Sequence, residues 1–260
     1  MLQLLPALLC LSTPGKMLQH IVGDLSQMFP LQQRQHLRQR LMRLARPAWL
    51  GTIRRTTPLS NVWGHDRGTP VDRYYIERFL EEHRGDIRGR VLEVKDSGYT
   101  DRYGIGVKHR DVLDIDPTNP LATIVTDLGA ADSIPSNTYD CFILTQTLQF
   151  IYDLHAALTH AWRILRPDGV LLTTVPVIIR VQRSLKTTDY WRFTVASCSA
   201  LFAEVFGGDQ VTIRSYGNVL TAIAFLTGMA YQELSHRELE TYDEYFPVIV
   251  AVRAVKHRNS

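Results

Sequence analysis

Between Arg90 and Val175 short apolar runs alternate with polar stretches, and most of the runs close on an acid or an amide. The pattern predicts strands at Arg90–Val94, Asp111–Ile115, Thr123–Thr126, Tyr139–Leu144 and Val170–Val175. A helix is expected from Leu154 to Leu165, where Leu154, Leu158, Ala161, Trp162 and Leu165 share one face and Arg166-Pro167-Asp168-Gly169 stops it. Upstream, residues 17–46 read as a helix broken near Pro30. The stretch Pro47–Pro70 reads as loop, and a second helix begins at Val71 and ends near Gly85. Downstream come a helix near Ser197–Phe206, a strand at Val211–Tyr216, an inserted helical pair at about 218–244 and a last strand at Val248–Val255.

Apolar strands separated by helical patterns imply right-handed crossovers and a mainly parallel sheet. The expected fold is α/β: a Rossmann-like, seven-stranded, mostly parallel sheet with an antiparallel last strand, helices on both faces and an N-terminal helical extension. Two regions follow: residues 1–62 as a basic helical extension and loop, and residues 63–260 as the α/β domain carrying the insertion. In an open sheet of this type ligands bind outside the carboxyl ends of the strands, so acids closing successive strands converge on one crevice.

At 260 residues the chain can bury a sizeable core. Its net charge of +3 is uneven, because the first 60 residues hold eight Lys and Arg (Lys16, Arg34, Arg38, Arg40, Arg43, Arg46, Arg54, Arg55) against Asp24 alone. That leader is either a solvated helix face or a contact for nucleic acid, anionic lipid or an acidic partner. Cys10, Cys141 and Cys198 form neither a disulfide framework nor a zinc motif, which fits a reducing, cytoplasmic setting. His155 and His160 are five residues apart and share no helix face, so no metal is expected. The opening run to Leu11 is too short for a membrane span and lacks a positive n-region, and Met17 offers an alternative start. No later run is long enough to cross a bilayer. A dinucleotide fingerprint and a nucleophile elbow are both missing.

The order Val91-Leu92-Glu93-Val94 with a turn to Gly98, Asp116, Asp127 with Ile134-Pro135, Tyr139-Asp140-Cys141-Phe142-Ile143-Leu144 and Arg163-Ile164-Leu165-Arg166-Pro167-Asp168-Gly169 resembles the class I S-adenosylmethionine-dependent methyltransferases. The resemblance is to the type 11-like group found near glycosyltransferase and polysaccharide genes, and it spans roughly Trp63 to Lys256. It implies S-adenosyl-L-methionine as cofactor and O-methylation of a saccharide or other small-molecule acceptor. In that reading Asp116 accepts from the ribose hydroxyls, Asp127 from the adenine amino group with Leu128 beside the ring, and Glu93 and Asp96 hold the ammonium near Gly98. Arg67 and Tyr74 hold the donor carboxylate, and Thr145 and Gln146 line the floor.

Acceptor contacts and proton transfer fall to His65, Asp66, Tyr190 and Arg192. Asp66 and Arg67 could equally form a structural ion pair with His65 a plain loop residue, while Trp191 and Phe193 read as packing residues. One departure stands out: the turn that normally carries several glycines is Lys95-Asp96-Ser97-Gly98, so the Lys95 side chain must point away from the cofactor or block it. A catalytically silent relative that serves as a binding module is the alternative. Nucleic acid is not an expected substrate, because Thr145-Gln146-Thr147-Leu148 replaces the Asn- or Asp-Pro-Pro-Tyr motif of base methylation. The insertion could shape a substrate pocket or the surface of a homodimer.

Overall fold

The computed structural model describes residues 30–45 and 56–257. The expected helix before Pro30, the opening apolar run with Met17 and the first part of the loop after Pro47 lie outside the described residues. In chain order the elements are α1 (Leu31–Ala45), α2 (Val71–Glu82), β1 (Gly89–Val94), α3 (Gly98–Tyr103), β2 (Val107–Asp114), β3 (Ile124–Val125) and β4 (Tyr139–Thr145). They continue as α4 (Leu154–Ile164), β5 (Leu165–Pro176), α5 (Val195–Phe206), β6 (Val211–Tyr216), α6 (Val219–Thr227), α7 (His236–Glu240) and β7 (Ile249–Val255).

The seven strands form one sheet in the order β3-β2-β1-β4-β5-β7-β6. Strands β1 to β5 are parallel, and β7 runs antiparallel to both β5 and β6. This is the expected Rossmann-like architecture. Alternation along each strand sorts side chains onto two faces. Leu92, Phe142, Leu144 and Leu171 join Ala157, Leu158 and Ala161 of α4 and Phe202 of α5 in one core. Val91, Cys141, Ile143 and Leu172 meet Tyr75, Ile76, Phe79 and Leu80 of α2 in the other. Helix α4 starts on Asp153, whose carboxylate accepts from Ala156 N at 2.9 Å.

Three boundaries differ from the sequence pattern. Strand β2 begins at Val107, because the backbone of Val107, His109 and Arg110 pairs with β1, with Lys108 at a register shift, although the exposed side chains of Lys108, His109 and Arg110 carry no apolar signal. Helix α3 fills what reads as a plain turn after β1. Strand β5 starts at Leu165 and absorbs the Pro167-Asp168-Gly169 stop, with Asp168 at φ 65° and Lys256 N donating to Gly169 O.

Buried Lys256 locks the amino end of this sheet. Its Nζ donates to Leu165 O (2.8 Å), Arg163 O (3.2 Å) and Asn137 Oδ1 (2.8 Å), and it sits 4.1 Å from the Trp162 ring centroid. Burial and the nearby Arg163 charge hold its pKa below the usual lysine range. Replacing Lys256 with Met strands those acceptors, so Lys256→Met should lower the unfolding free energy by about 2 kcal/mol in urea titration, with ligand-independent effect.

Candidate functional site

The carboxyl rim of β1, β4 and β5 is roofed by the loop 60–70 and the insertion between β6 and β7. The two are zipped together by Leu59 N to Thr227 O (2.7 Å), Tyr231 N to Thr69 O (2.8 Å) and a bridge between Pro70 and Ala230. Gly64 has φ 94°, and a Cβ there would lie 2.6 Å from Met229 O, so only glycine allows the loop to close on the insertion. At the centre of the seam Arg67 is wholly buried. Its Nε and Nη2 donate to Glu233 Oε1 and Oε2 at 3.0 and 2.6 Å.

Around this rim buried polar atoms lack hydrogen-bond partners among the described residues: Asp66 Oδ1, Asp72 Oδ1, both amide atoms of Gln146, Gln149 Oε1, Thr174 Oγ1 and Trp63 Nε1. Buried groups of this kind are normally satisfied, so their gathering makes this edge the candidate ligand site. Gln146 follows β4 directly, at φ 48°, and its N donates to the carbonyl of Thr174 on β5. The loop side adds a charged cluster. Burial raises the Asp72 carboxyl, with Arg73 opposing; desolvation and then Arg73 hold the His65 imidazole below its ordinary value, against Asp72 and Asp66. Arg73 Nη1 also donates to Tyr99 OH at 3.1 Å, which links this cluster to the turn after β1.

In that turn Glu93 is buried, and burial pushes its pKa up to about 7 against bonds from Thr100 and Tyr99. Its oxygens accept from Tyr99 N (3.0 Å), Thr100 N (2.7 Å) and Thr100 Oγ1 (2.7 Å), so it caps α3. Lys95 takes φ 77°, the left-handed conformation that a glycine would adopt freely, and its side chain is exposed. Asp96 accepts from Gly98 N at 2.9 Å on the exposed turn.

The structure places the expected site residues as follows. Strand β2 ends at Asp114, so Asp116 falls two residues past the rim, exposed, with its carboxylate on Thr118 N and Oγ1 at 2.9 and 2.7 Å. Those bonds hold its pKa low. Asp114 occupies the strand end instead. Asn119 Nδ2 bridges it (2.6 Å) to Lys95 O (2.7 Å). Arg67 donates from Nε and Nη2 to the Glu233 carboxylate. Tyr74 OH donates to Glu240 Oε1 at 2.5 Å, which turns it toward the insertion. Leu128 is buried in the core beneath α4, and Asp127 caps the turn by accepting from Gly129 N at 2.8 Å.

Arg192 is held by Asp189 (2.5 Å) and by the carbonyls of Trp191 and Ile179. Trp191 donates from its indole to Ile151 O, and Phe193 is in the core, so both serve packing. Tyr190 stays exposed and meets Tyr152 edge-on at 5.3 Å. Thr145 and Gln146 are half-buried at the rim, and His65 is exposed at its mouth. Asp72, Arg73 and Asp114 also lie here and are not among the residues expected from the sequence. Asp72 and Arg73 sit in the first turn of α2, where only the third dimension separates them from ordinary helix-start residues.

Two open surface cavities, of about 560 and 470 Å³, lie off this rim, one against α6 and the Thr241–Tyr245 loop, the other beside α2. The charged groups of the second are ion-paired, as Arg102 is to Glu77 at 2.9 Å.

A carboxyl with a raised folded-state pKa binds more protons folded than unfolded, so its contribution falls as pH climbs from about 4.5 to 7. Glu93→Gln should flatten the pH dependence of stability across that window relative to the parent protein, measured by urea unfolding at a series of pH values. Glu233→Ala should cost about 3 kcal/mol by leaving Arg67 buried without its carboxylate. The Arg67→Met/Glu233→Leu pair should cost less than the sum of its single changes in a double-mutant cycle.

Residues 108–173 match the methyltransferase domain family. No curated protein matches the chain. Among solved structures, a SAM-dependent methyltransferase from Archaeoglobus fulgidus is similar at 14% identity and TM-score 0.49, over 71% of this chain and 94% of that one. A phosphoethanolamine N-methyltransferase 2 from Haemonchus contortus in complex with S-adenosyl-L-methionine aligns at 12% identity and TM-score 0.49, over 71% of this chain and 53% of that one. The methyltransferase domain match thus runs from β2 into β5 and includes the carboxyl ends of β2, β3 and β4.

Proposed function

We propose that the protein is an S-adenosylmethionine-dependent methyltransferase whose donor site is the carboxyl rim of β1, β2, β4 and β5. The observation that carries this reading is the group of unpartnered buried polar atoms on Asp66, Asp72, Gln146, Gln149 and Thr174, of which Gln146 and Gln149 fall within the residues 108–173 that match the methyltransferase domain. Their chemistry suits a zwitterionic amino-acid moiety joined to a nucleoside. Asp66 and Asp72 would take the ammonium and Arg73 the carboxylate. Asp114 would accept from the ribose hydroxyls in place of Asp116, and Asp127 from the adenine amino group. Gln146 and Thr145 would line the floor.

The bound donor supplies an electrophilic methyl group, and the protein's part is to align an acceptor and exclude water. Roofing by the loop 60–70 excludes water. His65, held toward its neutral form, would accept the proton of an acceptor hydroxyl at the mouth. The exposed Tyr152 and Tyr190 rings and Gln149 suit a flat-faced polar acceptor, which favours O-methylation of a saccharide or small metabolite. Among the described residues no helix is long and apolar enough to cross a membrane. A cytoplasmic location fits the two buried free thiols, Cys141 and Cys198.

Adding S-adenosylmethionine or S-adenosylhomocysteine at a hundredfold excess over Kd should stabilise the protein by about 2.7 kcal/mol, seen as a rise in thermal midpoint. Asp72→Asn keeps the shape of the site and should cut that rise, while Asp116→Asn should leave it intact. A midpoint indifferent to both ligands would overturn the reading.

A further inference from the structure

Helix α1 carries Arg34, Arg38, Arg40 and Arg43 and no acid. Its sequence spacing divides it into two sides. Gln39, Met42 and Arg43 are half-buried, and through them the helix is tied to the roof of the rim: Arg43 Nη1 donates to Arg67 O at 2.6 Å and Gln39 Nε2 to His65 O at 3.3 Å. Leu37, Leu41 and Leu44 recur at i, i+4 and i+7 on the opposite side; Leu41 is half-buried, while Leu37 and Leu44 are 38% and 73% exposed. Arg38 and Arg40, both exposed, flank this stripe on its two sides.

An apolar stripe bordered by arginines and turned away from its own domain has the make-up of a helix that lies in a lipid interface. We infer that α1 seats the protein on an anionic lipid surface, leucines entering the acyl boundary and Arg38 and Arg40 meeting the headgroups. Charge complementarity selects an anionic surface. The exposed leucines select lipid over nucleic acid, whose phosphates would engage the arginines and leave the leucines in water. The rim itself continues the apolar character: Val62 and Val181 are 45% and 53% exposed, each next to a partner in the Trp63–Arg180 stack, where the guanidinium lies 3.8 Å from the ring centroid. Because α1 is bonded to the backbone of His65 and Arg67, a membrane under the helix would lie beside the mouth of the site. The binding does not depend on the methyl-transfer reading.

Co-sedimentation of the full chain with vesicles tests it, using phosphatidylcholine alone and phosphatidylcholine mixed with phosphatidylglycerol. The protein should pellet with the mixed vesicles, less so as salt rises, and remain in solution with the neutral ones. Arg38→Glu/Arg40→Glu should lower the partition coefficient more than about tenfold. Leu37→Ser/Leu44→Ser should lower it several-fold with an unchanged thermal midpoint. Equal binding to neutral vesicles, or none to either, would overturn the inference. So would leucine variants that bind normally while a single-stranded RNA homopolymer is bound as tightly as the vesicles, since the helix would then be a nucleic-acid contact.

Discussion

The pairing of Arg67 with Glu233 holds the site together. A wholly buried guanidinium costs several kcal/mol to dehydrate, and here two charge-assisted bonds donated to one carboxylate offset that cost. Glu233 Oε1 also accepts from Ala230 N at 2.9 Å, so the same carboxylate fixes the turn that bridges Pro70. The loop with His65 and Asp66, the start of α2 with Asp72 and Arg73, and the insertion after β6 are therefore one rigid roof. Without that clamp the acids at the rim would have no fixed relation to the strand ends below them.

Polar groups divide sharply between structure and rim. In the body of the sheet Asp111 takes bonds from Arg90 (2.9 Å), Tyr139 OH (3.1 Å) and Thr123 Oγ1 (3.3 Å), and these outweigh burial to keep its pKa low. Lys256 satisfies three acceptors at the amino end. At the carboxyl rim the pattern reverses, and Asp66, Asp72, Gln146, Gln149 and Thr174 keep buried atoms unpaired. A fold that meets such needs elsewhere and leaves them open along one edge has its unspent polarity where an open α/β sheet binds ligands. The left-handed Lys95 belongs to the same account: the turn after β1 needs positive φ, and lysine fulfils it at a backbone cost of about 1 kcal/mol while its side chain leaves for solvent.

Strands β1, β4, β6 and β7, and helices α2, α4 and α5, were legible in the chain to within a few residues, because each buries a face whose period of 2 or 3.6 is written in its apolar positions. The same holds for the two-sided core, where Leu92 and Phe142 part from Val91 and Cys141 by simple alternation. What carries no period was not legible. The six residues of α3 are too few to show one, and the first half of β2 pairs by backbone with exposed Lys108, His109 and Arg110 outside.

The shift of the rim acid from Asp116 to Asp114 follows from that: two carboxylates two residues apart look alike until the strand's last backbone bond separates rim from turn. Arg67 finds Glu233 across 166 positions, and Tyr74 finds Glu240 at the same separation. Local sequence determined which segments form strands and helices and that acids close several of them, since these follow from burial periodicity and chain stiffness. Which of those acids stay open to a ligand and which are consumed as caps or ion pairs was decided only by tertiary structure, because a carboxylate's availability depends on the donors that folding brings within about 3 Å of it.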